Sequence, residues 1–288
     1  MTENWIHESL YATWCQSFKV EKMLVEKKSA YQDIKMFETA YHGRVLLLDG
    51  VVQVTEKDEF PYHEMITHVP LLTHGAAKRV LIIGAGDGGV LRHVLMHRTV
   101  EKAVMVEIDA DVIELSKRFM PQVGGASWED PRAEVIVGDG IAYVAKAQDA
   151  SFDVIIVDST DPIGVGEVLF TDEFYQECAR ILSPRGIIVN QCGVPFMQSE
   201  ELEVTSRRRR QFFPHVSAYV VSMPTYVGGF MALGFASKDA NLTLPATSEI
   251  AARAHAAGLK SDAFYWSPSV QNAAFALPPY IDRCLPQR

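Results

Sequence analysis

The sequence predicts an α/β protein: a mostly parallel sheet covered by helices on both faces, preceded by a small antiparallel β unit. Three observations carry this. From Lys78 onward, apolar strand-like runs alternate with helical patterns, which implies right-handed crossovers and a parallel sheet. Before that, residues 18–55 hold only short strand-like runs, with an Asp49-Gly50 pair between two apolar stretches, a strong hairpin signal. The first run of the alternating half then ends in a glycine-rich turn, GAGDGG (Gly84–Gly89), that opens a helical stretch.

Taken in order, FKVEKMLVEKK, YQDIKMFETA and RVLLLDGVVQVTE are the expected strands of the small sheet. EFPYHEMITHVPLLTH (Glu59–His74) reads as a helix leading into the second half, so the expected division is 1–58 and 59–288. Strand RVLIIG is then followed by helix VLRHVLMH, strand KAVMVEID by helix DVIELSKRFM, and strand AEVIVGDG by helix IAYVAKA. Strand FDVIIVDS leads through a loop to helix TDEFYQECARIL and strand GIIVNQCG. VSAYVVSMP and FMALGFASK pair as an antiparallel hairpin at the sheet edge. The Arg207–Arg210 run is expected to be a solvated helix face.

Composition narrows the function. The chain has 288 residues, 48% of them hydrophobic, enough for a packed core, and a formal charge of −9. A general nucleic-acid binder needs a basic face, so that class is excluded and cationic small molecules are favoured. Cys15, Cys178, Cys192 and Cys284 form no CxxC pair, so no zinc or redox motif is expected and a reducing compartment fits. MTENWIHESL lacks the basic start and apolar run of a signal peptide, and no apolar stretch approaches the ~20 residues that span a bilayer. A cytoplasmic location, away from membranes, is the expectation.

In an open α/β sheet the ligand sits beyond the carboxyl ends of the strands. Here four successive strand ends carry acids: Asp87, then Glu107 and Asp109, then Asp139, then Asp158. Glu107 lies 23 residues after Gly84, near the spacing at which an acid meets ribose hydroxyls. Asp109 fits a helix cap better, and Asp139-Gly140 is either a turn and cap or part of the site. Asp87 is the unusual member. A carboxylate inside a glycine loop is a poor neighbour for a pyrophosphate, so a nucleoside carrying positive charge is expected. Residues 147–179 hold eight acids and no Lys or Arg. Within them, Pro162, Gly164 and Gly166 suggest a mobile loop beside the site. His63 and His68 stand five apart rather than the four a zincin helix needs, so their rings are expected on different faces and no metal site is supported.

With these residues in place, the chain closely resembles the polyamine aminopropyltransferase family, bacterial spermidine synthases in particular. The resemblance spans nearly the whole length. It rests on YQDI (Tyr31–Ile34), GRVLLLDGVVQVTEKDEF (Gly43–Phe60), YHEM (Tyr62–Met65), GAGDGG, VEID, GDG, DSTDPIG, PTY (Pro224–Tyr226) and AAFALP (Ala273–Pro278). It implies a β-strand subdomain before a methyltransferase-like Rossmann domain, whose mostly parallel seven-stranded sheet ends in an antiparallel hairpin. It implies transfer of an aminopropyl group from decarboxylated S-adenosylmethionine, a co-substrate rather than a cofactor, to putrescine, releasing methylthioadenosine. By matched motif, Gln32 and Glu107 hold the ribose side of the nucleoside, with Gly84 and Gly86. Asp139, Gly140 and Val165 take the adenine side. Asp87 holds the donor's amine. Tyr62, His63, Asp158, Asp161 and Tyr226 line the diamine site, with Gln53 and Gln191 as second contacts and Asp158 as general base. A homodimer or homotetramer is also implied. Val165 stands where the family usually has Pro, and Gln271 where close relatives often carry His.

These residue types suit the reaction. A neutral amine must displace a sulfonium, yet a free diamine is protonated at neutral pH, so the site must bind a cation and remove its proton. Clustered, buried carboxylates are expected to raise the pKa of Asp158 toward that task. Asp87 would also repel the carboxylate of ordinary S-adenosylmethionine. That disfavours a methyltransferase, the nearest alternative. A non-catalytic polyamine-binding protein on the same fold is the second, and a nicotinamide dehydrogenase is disfavoured because Asp87 interrupts the glycine loop.

Overall fold

The structure, a computed structural model, describes residues 4–160, 164–259 and 263–286. The chain begins with a two-stranded antiparallel pair, β1 (Trp5–His7) and β2 (Ser17–Lys19), then a four-stranded antiparallel sheet in chain order, β3 (Lys22–Lys28), β4 (Asp33–Thr39), β5 (Gly43–Leu48) and β6 (Val51–Thr55). The β5–β6 turn is the predicted one: Asp49 and Gly50 both take positive φ, 48° and 80°, as a tight two-residue hairpin requires. Register slips by one residue between β5 and β6, where Leu46 faces Val54 but Leu47 faces Val52. Gln53 is therefore the extra residue of a bulge.

The second half opens with α1 (Glu59–His74), β7 (Arg79–Gly84), α2 (Gly89–Met96), β8 (Lys102–Glu107), α3 (Ala110–Phe119), α4 (Pro121–Gly124), β9 (Ala133–Val137), α5 (Gly140–Lys146) and β10 (Phe152–Asp158). After a 3-10 turn at Gly164–Phe170 come α6 (Asp172–Ile181), β11 (Leu182–Gln191), α7 (Pro195–Arg210), β12 (His215–Ser222) and β13 (Phe230–Ser237). The chain closes with α8 (Thr247–Ala256), α9 (Pro268–Ala274) and α10 (Pro279–Asp282). The sheet order is β12-β13-β11-β10-β7-β8-β9. β7 to β11 pair in parallel and the last two strands antiparallel, as the sequence pattern predicts.

Alternation along the central strands explains the two covered faces. Val80, Ile82, Met105, Val154 and Ile156 pack toward α1 and α2, while Leu81, Ile83, Val104, Ile155 and Val157 pack toward α5 and α6. The small sheet also has two buried faces. Ile34, Met36, Leu46 and Val54 lie against Val112, Leu115, Met120 and Val123 of α3 and α4. Phe37, Val45, Leu47 and Val52 lie against Phe18 and Val20 of the N-terminal pair. Truncating Leu46 to Ala would cost about 2–5 kcal/mol and loosen the join between the two sheets.

The arginine run departs from the solvated face expected of it. Arg207 is exposed and pairs with Glu203, but Arg209 is fully buried and donates to Asn190 and Ser206. α7 lies on β13, and Gly234 makes the room: a Cβ there would sit 1.8 Å from the Arg209 guanidinium. Arg208 and Arg210 donate to the carbonyls of Phe170 and Pro214. Arg209 ties the helix to the sheet, while Arg207 and Arg210 keep the solvated face.

Candidate active site

Strand order reverses between β7 and β10, with β8 and β9 on one side and β11 on the other. At such a reversal the connecting loops diverge and leave a crevice beyond the strand ends. A cavity of about 350 Å³ lies there. It receives every sequence-predicted site residue that the structure describes: Gln32, Gln53, Tyr62, His63, Gly84, Gly86, Asp87, Glu107, Asp139, Gly140, Asp158, Gln191 and Tyr226. Asp161 lies outside the described residues, as does the side chain of Val165.

The glycine loop brings β7 against β10. A Cβ on Gly84, whose φ is +82°, would sit 2.0 Å from the Asp158 carbonyl oxygen, and the next N–H, from Ala85, donates to that oxygen at 2.9 Å. The loop then turns Asp87 back so that its Oδ1 accepts from the Gly89 N–H at 2.7 Å. In dinucleotide folds a phosphate takes the free N–H groups at this helix start. Here the protein's own carboxylate occupies one of them.

α1 passes alongside and supplies the facing wall. The Tyr62 hydroxyl donates to Asp158 Oδ1 at 2.6 Å. His63 sits one residue on, its Nε2 3.4 Å from Asp87 Oδ2 and its Nδ1 2.5 Å from Glu59 Oε2. Burial, with the Asp87 charge second, pushes the Asp158 carboxyl up to about 6. Burial opposes charge on His63, but the Asp87 and Glu59 carboxylates prevail and raise it to about 10. Asp87 stays below the usual carboxylate range despite burial, because His63 and the Gly89 N–H favour its anion. Burial and the Asp158 charge hold Tyr62 well above the ordinary phenol range, so it remains a neutral donor.

The other side of the cavity is built differently. Glu107 ends β8, accepts from the Asp109 N–H at 2.8 Å, and is pushed up to about 7, chiefly by burial. Asp109 is the helix cap the sequence suggests: its Oδ1 accepts from Asp111 N, and its Oδ2 takes Gln32 Nε2 at 2.9 Å and Ser29 Oγ at 2.7 Å. Asp109 thus presents Gln32 rather than itself. Asp139 also caps its helix, α5, by accepting from Ile141 N, and still borders the cavity. Leu46, Leu48, Ile83 and Val106 supply apolar wall between these acids.

Tyr226 closes the cavity beside Tyr62. Asp58 anchors the preceding turn by accepting from the Thr225 N–H and hydroxyl, and the Tyr226 hydroxyl donates to the Gln53 carbonyl at 2.6 Å. The Tyr62 and Tyr226 rings meet edge-on, centroids 5.9 Å apart. Two contributors escape sequence reasoning. Glu8, nearly buried, reaches the cavity and is fixed by the Val52 N–H and Gln16 Nε2, both at 3.0 Å. Tyr11 also lines it and donates to Gln198 at 2.9 Å. Both sit beside a three-residue strand with no pattern of its own.

His63 and His68, expected on different faces of α1, both reach α2. Their rings lie 6.3 and 5.2 Å from that of His93, and His68 hydrogen-bonds His97 at 2.9 Å. Burial holds His68 and His93 well below, and His97 at about 3, so these three are neutral. No group of three or more His, Cys, Asp or Glu among the described residues is arranged to hold a metal ion. Gln271 fills its place by accepting from Trp266 Nε1 and donating to Thr73 and Val69.

The charge inventory sums up the chemistry. Among the described residues, Glu8, Asp87, Glu107, Asp139 and Asp158 line the cavity against one cation, the His63 imidazolium, with no lysine or arginine. Such a space accepts cations.

Comparison with known proteins agrees. Residues 59–245 match the spermine/spermidine synthase domain, and residues 4–56 the spermidine synthase tetramerisation domain. The chain is 50% identical over 284 residues to a polyamine aminopropyltransferase of Ruegeria sp. (strain TM1040), covering 99% of both. It is 47% identical to one from Salmonella arizonae, again over 99% of each. A spermidine synthase crystal structure in complex with the transition-state analogue AdoDATO superposes with a TM-score of 0.92 at 37% identity, over 99% of this chain and 96% of that one. The Thermotoga maritima spermidine synthase gives 0.90 at 36%, over 99% and 95%. From its strand order to its acid-lined cavity, this chain belongs to the spermine/spermidine synthase family.

Proposed function

We propose that this chain transfers the aminopropyl group of decarboxylated S-adenosylmethionine to putrescine, giving spermidine and 5'-methylthioadenosine. The observation that carries the reading is the cavity wall of five carboxylates without a lysine or arginine, at the strand-order reversal. Both reactants are cations, and each is given its own carboxylate, Asp87 or Asp158, in the cavity.

The roles proposed rest on the family resemblance and, for the described residues, on their place in the cavity. Glu107 and the Gln32 amide take the ribose hydroxyls, with Gly84 and Gly86 letting the nucleoside approach. Asp139 and Gly140, with Val165, border the adenine. Asp87 receives the donor's ammonium and disfavours an intact methionine carboxylate. Asp158 and Asp161, with Tyr62, His63 and Tyr226, hold the diamine, and Gln53, Gln191 and Glu8 border its path. Asp158 is the general base: at pH 7–8 it is ionised, yet more basic than an ordinary aspartate, and Tyr62 keeps it oriented. The amine loses one proton to Asp158, its nitrogen forms the new C–N bond, and the C–S electron pair leaves with the thioether. Holding both reactants in line contributes alongside the proton transfer.

We place the boundary between the two units at residues 58 and 59, and assign a homo-oligomer, dimer or tetramer, assembled through the first unit. No helix among the described residues is long and apolar enough to cross a membrane. We take the enzyme to act in the cytoplasm. The deciding experiment incubates purified protein with the decarboxylated donor and a panel of diamines, reading products by mass. Spermidine and methylthioadenosine are expected; methyl transfer, or no thioether release, would overturn the assignment.

A further inference from the structure

Glu59 and Arg92 stand outside the cavity wall, yet they are wired to it. Glu59 opens α1, and His63 lies one helical turn later. The Glu59 carboxylate bridges two cations: Oε2 is 2.5 Å from His63 Nδ1, and Oε1 is 2.6 Å from the Arg92 guanidinium of α2. On the far side of the ring, Nε2 faces Asp87, which is tied in turn to the Gly89 N–H. The imidazole is seated against Gly89, where a Cβ would lie 2.2 Å from it. Charge therefore alternates along one line: Arg92, Glu59, His63, Asp87.

We propose that Glu59, backed by Arg92, is a positioning residue for aminopropyl transfer: by binding Nδ1 it holds His63 as an imidazolium whose other N–H fixes Asp87 toward the donor's amine. This rests on the assignment of Asp87 to that amine.

The physical argument is one of proton count. A neutral imidazole has one N–H and cannot donate to carboxylates on both sides; a ring between two anions keeps both protons. The remaining groups facing His63 do not replace Glu59. Tyr62 on its own helix and His93 on α2 are neutral neighbours, their ring centroids 5.7 and 6.3 Å away. Arg92 is a cation, and Asp158 on β10 is engaged by Tyr62. Without the Glu59 charge, the ring loses one of its two close anions and binds its second proton less tightly. Asp87 then loses the fixed cation that holds it beside Asp158.

The test uses the full chain and two readouts. His63 is titrated by NMR of labelled imidazoles, its signal assigned by its loss in H63Q. In Glu59→Gln the His63 pKa is expected to fall by about one unit or more. In kinetics, the high-pH limb of kcat/KM for the decarboxylated donor, which in the parent follows His63 at about 10, should then move down by about one unit or more. At high pH kcat/KM then falls about tenfold or more relative to the parent, and the E59Q/H63Q double variant should not show this limb. Glu59→Asp keeps the charge but draws it back from Nδ1 and should move both readouts in the same direction by a smaller amount, so it carries the test if E59Q does not fold. Parent-like titration and parent-like profiles in these variants, or a lowered limb that survives removal of the His63 ring, would overturn the proposal. D87N separates the premise: unchanged donor KM there would overturn the Asp87 assignment and with it the catalytic part of the Glu59 role, even if the NMR shift were observed.

Discussion

The two ends of the cavity solve one electrostatic problem in opposite ways. At the reacting end, Asp87 and Asp158 are interlocked with His63 and Tyr62, so charge is shared and each carboxylate is held by a partner. At the proposed nucleoside end, Glu107 has no cation against it among the described residues and meets a backbone N–H and apolar wall. The contrast fits the role proposed for each end. An end that must move a proton needs coupled groups with separated affinities. An end that only recognises hydroxyls needs one acceptor, kept dry and aimed.

The comparison breaks hardest at Asp158. Asp158→Asn keeps the shape but removes the proposed base, and turnover should fall by about 10²–10⁴ with nucleoside affinity changed little. Near-parental turnover, measured by methylthioadenosine release, would strip that residue of its role. Asp87→Asn comes next: donor KM should rise by roughly tenfold or more, and the margin against intact S-adenosylmethionine should shrink in competition assays. An unaltered margin would place donor choice elsewhere.

A pH profile sharpens the same end. Asp158 must be ionised to accept a proton, and its pKa stands at about 6, so kcat/KM should drop as pH falls through that value. The bound cations favour the anion, so the limb in kcat should lie lower. The smallest effect belongs to the nucleoside end and has the opposite sign for stability. Glu107 is raised from its ordinary 4.5 to about 7, so the folded state holds this proton more tightly, and the group costs stability as pH rises from 4.5 through 7. Glu107→Gln should therefore raise the Tm of the unliganded protein at pH 8 but leave it unchanged near pH 4, while weakening nucleoside binding. Equal Tm differences at both pH values, by calorimetry, would contradict the burial of a charge there.

Legibility differed between the halves in the same way. The central strands and the helix at Glu59–His74 carry long apolar periodicities, and their positions follow directly from sequence. The acids at strand ends are legible because a parallel sheet sends all its carboxyl termini to one edge. The contributions of Glu8 and Tyr11 are not, since the strands beside them are three residues long and gain their place only by covering Phe37 and Val45. The bulge that singles out Gln53 is a one-residue slip between two apolar strands, invisible in either alone. Arg209 reads as surface in a run of four arginines, and is buried only because Gly234 stands opposite.

Local pattern by itself determined the alternation of strands and helices from Lys78 to β11, the glycine turn, and which acids would gather at one edge, because these depend on neighbours a few residues apart. Tertiary structure alone decided the charge states. Which carboxylate is paired, which is raised by burial, and that His63 is a cation beside three neutral histidines all depend on distances between α1, α2 and the ends of β7 and β10. Chain spacing holds no record of those distances, and electrostatic energy depends on little else.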